Sequence, residues 1–219
     1  MEPEKTFSET VRTAERILDR MIVLPERVLR HLECGEPRGA FEDAMQFAGR
    51  AEKLVLLARQ LPVCIGPPDA PEQVERVTEH TCAITVGYTE KGWFQAILPA
   101  LLPSGRQGNG EYLRSCLALA LKSYFQAHEI RRYTDCVLIF RHVYDKTRSA
   151  RRMRDHDNIE TKRVADLLAL YLMPDDNPTV CSHYDCSVFG NEDRTEVFVV
   201  PGTAFPEWLK CEGKEKNGV

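Results

Sequence analysis

The stretch Asp155-His-Asp-Asn158 gathers two carboxylates and an amide within four positions, and a second acidic pair, Asp175-Asp176, follows about one helix later. Aspartates brought together from separate loops suit a hard divalent cation. Mg2+ takes one or two protein carboxylates and leaves its other positions to water and substrate phosphate. Lys162, soon after the first cluster, is placed to neutralise charge on a phosphoryl transition state. The same residues have plainer uses. Asp157 with Glu160 three residues on forms a capping box, and Lys162 with Asp166 forms an i,i+4 pair worth a few tenths of a kcal/mol. Neither use accounts for Asp155 or for the second acidic pair. A helix from about residue 159 to 173 would be roughly 22 Å long, which leaves the two pairs at its opposite ends. They converge on one ion only if the chain turns back at Pro174 or if they meet across a dimer.

Charge is distributed to match. The whole chain carries 29 basic and 33 acidic residues, a net charge of −4, which gives no global attraction to nucleic acid. Yet between residues 146 and 163 seven basic residues (Lys146, Arg148, Arg151, Arg152, Arg154, Lys162, Arg163) face three acidic ones (Asp155, Asp157, Glu160), a local +4. Arg148, Arg151, Arg152 and Arg154 are candidates to seat DNA phosphates beside the carboxylates. Arg–Asp pairs that only balance charge within the loop are the plainer alternative.

Other clusters say less. Cys181-Ser-His-Tyr-Asp-Cys186 suggests structural zinc through Cys181, His183 and Cys186, with Cys211 as a fourth ligand, but the spacing matches no common finger. The eight cysteines are spread evenly and read as buried thiols of a reducing compartment. The loop Ser104–Gly110 before a helix lacks the lysine and hydroxyl of a phosphate-binding P-loop.

The elements that must position these residues follow from hydrophobic period. Helical spacing runs from Glu4 to about Leu32, interrupted at Pro25, and again from Phe41 to Leu61. Short β-branched or aromatic runs then appear at 82–88 and 93–98, separated by the hairpin signal Thr89-Glu-Lys-Gly92. A helix is expected over 111–128, a buried strand over 136–143, a helix over about 159–173, and strands over 179–184 and 196–200. The expected class is α+β: a helical hairpin over 1–65, a linker over 66–80, and a domain over 81–219 in which a small mixed sheet carries two helices. No run approaches the ~18 apolar residues of a membrane span, and the N-terminus has no signal-peptide pattern, so a cytoplasmic protein without membrane association is expected.

The string Asp155-His-Asp-Asn158, a lysine at 162, Asp166 with Leu168, then Asp175-Asp176 and Val180 opening a strand resembles the central motif of RusA-type Holliday junction resolvases. The resemblance covers about residues 135–200. It implies a small, dimeric, Mg2+-dependent endonuclease acting on branched or duplex DNA, with Asp155, Asp157 and Asp176 as metal-binding carboxylates and Lys162 as catalytic lysine. Three residues separate Asn158 from Lys162, one more than in the family pattern, which turns the lysine by about 100° on a helix. The chain as a whole resembles proteins of bacterial mobile elements. A second expectation, of a different class, is a non-catalytic nucleic-acid or protein-binding accessory protein of such an element, in which the aspartates act as caps and charge partners for the arginines.

Overall fold

The computed structural model describes residues 3–103, 110–148, 153, 155–175 and 177–217, with the side chains of 3–5, 76, 79, 80 and 213–217 left aside. The chain is α+β, with two compact units. One takes the described residues of 1–78 and 105–112, and the other those of 79–104 and 113–219.

In the first unit α1 (Pro3–Ile22) and α2 (Leu24–Glu33) form a bent helix, and α3 (Pro37–Ile65) packs along both. Pro25 sits in the first turn of α2, where a missing N–H costs nothing, so the break falls just before it. Gly35 holds the turn to α3 at φ +74, a conformation open to glycine. Asp43 of α3 is nearly inaccessible and is met by Arg27 of α2 at 2.9 Å. Helix α4 (Ala70–Cys82) occupies most of the segment expected to be a linker, because only Gly66-Pro-Pro-Asp69 carries strong breaker chemistry.

The second unit is built on a five-stranded sheet ordered β1-β2-β5-β3-β4. Its strands are β1 (Thr85–Tyr88), β2 (Phe94–Leu98), β3 (Cys136–Asp145), β4 (Cys181–Gly190) and β5 (Arg194–Pro201). The β1–β2 hairpin closes as expected: Gly92 at φ +76 permits the turn, and Thr89 N–H donates to the Trp93 carbonyl at 2.8 Å. Strand β3 pairs antiparallel with β5 and parallel with β4. A parallel neighbour requires a crossover, and α6 (Lys162–Leu172) supplies it. The sheet is mixed, with β1 and β4 at its two edges.

Strand alternation assigns each face. Val137, Ile139, Cys186, Phe198 and Val200 form one buried cluster with Trp93 and with Trp208 of a third helix, α7 (Phe205–Asn217). On the opposite face Phe94 lies against Tyr124 and Phe125 of α5 (Glu111–Ala127), and Phe125 stacks on Tyr171 of α6. The expectation of two helices on the sheet therefore misses α7, whose short apolar stripe is Phe205, Trp208 and Leu209 amid charged residues. Arg141 ties α7 down, donating to Glu196 and, at 2.9 Å, to Glu212, with both carboxylates 4% exposed. Cys82 and Cys116 form a disulfide, a departure from the expected set of free thiols. Among the described residues no helix is long and apolar enough to cross a membrane.

Candidate functional site

The first acidic pair lies between β3 and α6. After β3 the chain reaches a single 3-10 turn, His156–Asn158, with Asp155 just before it. Ile159 is buried and Glu160 N–H donates to the Pro103 carbonyl at 2.9 Å, so the turn is pinned at its end while Asp155, His156, Asp157 and Asn158 are exposed. The expected capping box does not form. Helix α6 begins only at Lys162, with Thr161 at its N-cap, and Asp157 accepts from its neighbour Asn158 at 3.2 Å instead. Among the described residues neither Asp155 nor Asp157 belongs to an ion pair.

The turn leans on the edge strand. His156 Nε2 lies 2.8 Å from Ser187 Oγ of β4, and its ring is 5.7 Å from that of His142 on β3. His142 is fully buried, and neither ring nitrogen has a hydrogen-bond partner. Its Nε2 is 3.8 Å from Asp185 Oδ1, too long for a hydrogen bond, and that oxygen is also unpartnered. Two buried polar groups left unmet side by side are uncommon.

Asp175 of the second acidic pair is elsewhere. Leu172, the last residue of α6, accepts from Tyr133 N–H just ahead of β3, and Val180 accepts from Cys136 N–H. Asp175, bonded by Asn177 Nδ2 at 2.6 Å, thus belongs to the start of the parallel pair, while His156 meets β4 six residues along at Ser187. Six residues of strand span about 20 Å. One chain therefore keeps Asp155 and Asp157 far from Asp175, and α6, at eleven residues, is roughly 16 Å long. Asp176 lies outside the described residues, as do Arg151, Arg152 and Arg154. Among the described residues no three histidine, cysteine or acidic side chains are grouped to hold a metal ion.

Arg148 and Lys162 are engaged by carboxylates. Arg148 pairs with Asp145 at 3.2 Å and Asp193 at 3.1 Å. Lys162 Nζ donates to Asp166 at 3.1 Å, both largely exposed, a contact worth at most a few tenths of a kcal/mol.

The zinc expectation meets the strand geometry. β4 runs unbroken from Cys181 to Gly190, so Cys181, His183, Asp185 and Ser187 share one face and Cys186 points to the other, into the cluster under Trp208. Cys186 cannot join Cys181 and His183 on one ion. Cys181 is instead in register with Cys136 of β3. The neighbouring Cys136 and His183 hold the Cys181 thiol well below its usual range against the opposing effect of burial, while the Cys136 thiol donates to the Val180 carbonyl at 3.6 Å and the Cys181 thiol to the Ser182 carbonyl at 3.5 Å. The Cys181 sulfur, with burial, pushes Cys136 up, and it also raises His183. A cavity of about 220 Å3 opens on this pair, lined by Lys162, Asp166, Met173, Leu138, Cys181 and His183.

Sequence reasoning singled out His183 and Cys181 but missed His142, Cys136, Asp185 and Ser187. The signal was the period-two run Cys181, His183, Asp185, Ser187, hidden because the strand was expected to stop at Tyr184. The chain belongs to DUF6100, a family of unknown function whose model matches residues 3–219. No curated protein matches it.

Proposed function

We propose that the protein is a Mg2+-dependent, structure-specific DNA endonuclease of the Holliday junction resolvase kind, working as a homodimer in the cytoplasm on the DNA of a mobile element. The observation that carries this reading is the position of the Asp155–Asp157 turn. It follows β3 of a parallel β3–α6–β4 unit, on the carboxyl side of the strand, where open sheets place their ligands. The donor chemistry fits Mg2+: two exposed carboxylates two positions apart, neither in an ion pair among the described residues, suit an ion that keeps several waters.

Asp155 and Asp157 would hold the ion, which when bound would supply Lewis-acid activation of a water and charge neutralisation at the phosphate. The remaining work belongs to the chain. Asn158 holds Asp157 from the side. Lys162, one turn on, exchanges its contact with Asp166 for a phosphate oxygen, a small loss given how exposed that pair is. Arg148, Arg151, Arg152 and Arg154 seat the flanking phosphates. Because Asp175 lies far from Asp155 and Asp157 within one chain, the reading takes Asp176 from a second copy and so requires a dimer.

The test is cleavage of a four-way junction by the purified chain with Mg2+. The wild type is expected to cut. Asp157→Asn is expected to lose at least about 100-fold in rate, the scale on which single electrostatic groups at such sites act, with its melting temperature unchanged. Absence of cleavage of branched, duplex and single-stranded DNA by the wild type would end this reading. The accessory-protein reading is favoured by one observation, that Arg148 and Lys162 are already matched by carboxylates. In that case Asp157→Asn leaves binding to DNA or a partner intact.

A further inference from the structure

The start of the parallel pair β3–β4 holds a second chemical group unrelated to the acidic turn. Cys136 and Cys181 are opposite each other in register, and paired strands lie about 4.8 Å apart, inside the ~4.4–6.8 Å over which cysteine Cα atoms are bridged by a disulfide. Both are free thiols in this structure. Cys136 is 1% exposed and Cys181 7% exposed, and of the two only Cys181 lines the 220 Å3 cavity. His183, two residues along the same face of β4, also lines that cavity beside Cys181. A deep cysteine beside a shallower one, with an imidazole at the shallower sulfur, is the arrangement of a resolving thiol behind a reacting one. A cavity of about 220 Å3 suits a small oxidant better than a bulky disulfide.

We propose that Cys181 is a peroxide-reactive nucleophile and Cys136 its resolving cysteine, so that hydrogen peroxide converts the pair into a Cys136–Cys181 disulfide. In the first step the Cys181 thiolate attacks one peroxide oxygen. An S–O bond forms, the O–O bond breaks, sulfur is oxidised by two electrons, and the leaving hydroxide takes a proton from His183 to become water. In the second step Cys136 loses its proton and attacks the sulfur of the Cys181 sulfenic acid. An S–S bond forms, the S–O bond breaks, and the oxygen leaves as a second water. Two thiols and one peroxide thus give one disulfide and two waters. The neighbouring Cys136 and His183, which keep the Cys181 thiol below its usual range, favour the thiolate that reacts.

The experiment treats the full chain with hydrogen peroxide and maps its cysteines by mass spectrometry. In the wild type a peptide linked through Cys136 and Cys181 is expected, with Cys181 consumed at least about tenfold faster than the exposed Cys34. Cys136→Ser is expected to stop at the sulfenic acid, captured on Cys181 by a 1,3-dione probe. His183→Ala is expected to move the onset of Cys181 reactivity to higher pH. Cys181 reacting no faster than Cys34, or oxidising without the linked peptide in the wild type, overturns the proposal, and neither result depends on a variant folding.

Discussion

At His142 the fold keeps a fully buried imidazole with both nitrogens unmet, 3.8 Å from an equally unmet oxygen of Asp185. Each buried polar group without a partner costs about 1–3 kcal/mol, so this pair works against stability. Replacing the imidazole by an apolar side chain of similar size removes one unmet group with little change in volume. His142→Leu is therefore expected to raise stability by about 1 kcal/mol, read as the urea midpoint at constant slope. A drop of similar size would mean that the ring has a partner in solution. The neighbouring polar residues were only partly legible in the chain. Asp155 and Asp157 declare themselves by spacing. His142 does not, because it sits inside Cys136–Tyr144, a run otherwise readable as plain buried strand, and its meaning arises only when β4 sets Asp185 diagonally beside it and Ser187 opposite.

At the scale of elements, periodicity located most of the helices and strands, since α3, α5, β2, β3 and β5 lie where their apolar spacing puts them. What it misjudged were elements set by tertiary contact. β4 is partly polar on the face toward α6 and so reads as a strand only for its first residues. α7 is held as much by charge as by apolar area, through Arg141 reaching both Glu196 and Glu212, with Arg194 also on Glu196. Those carboxylates are buried, and removing the cation they share leaves Glu196 to Arg194 and takes from Glu212 its ion pair with Arg141. Arg141→Met is expected to destabilise the protein by about 3–5 kcal/mol, measured by denaturant unfolding. A loss below about 1 kcal/mol would show that the network is not what fixes α7.

Over the whole molecule, charge sets how any DNA is held. The net charge is −4, and the local excess lies between residues 146 and 163. If Arg148, Arg151, Arg152 and Arg154 each seat one phosphate, the logarithm of the binding constant should fall with the logarithm of salt at a slope between about −2.7 and −3.6, because each contact contributes about −0.9. The shallower end applies if Arg148 stays with Asp145 and Asp193. Fluorescence anisotropy over a salt series measures it, and a slope near zero would remove the arginines from the interface.

The strand order β1-β2-β5-β3-β4 also dictates a sequence of events during synthesis. β5 is the last strand made, yet it stands in the middle, joined to β2 on one side and β3 on the other. Until residues 194–201 leave the ribosome, the β1–β2 hairpin and the β3–α6–β4 unit are two separate pieces, each with an open strand edge on the side that β5 will fill. Closure waits for one late insertion that pairs both pieces at once. The nascent chain therefore holds the β2 edge open while about one hundred residues emerge and the β3 edge open while about fifty do, intervals of seconds at ordinary translation rates of ~5–20 residues per second.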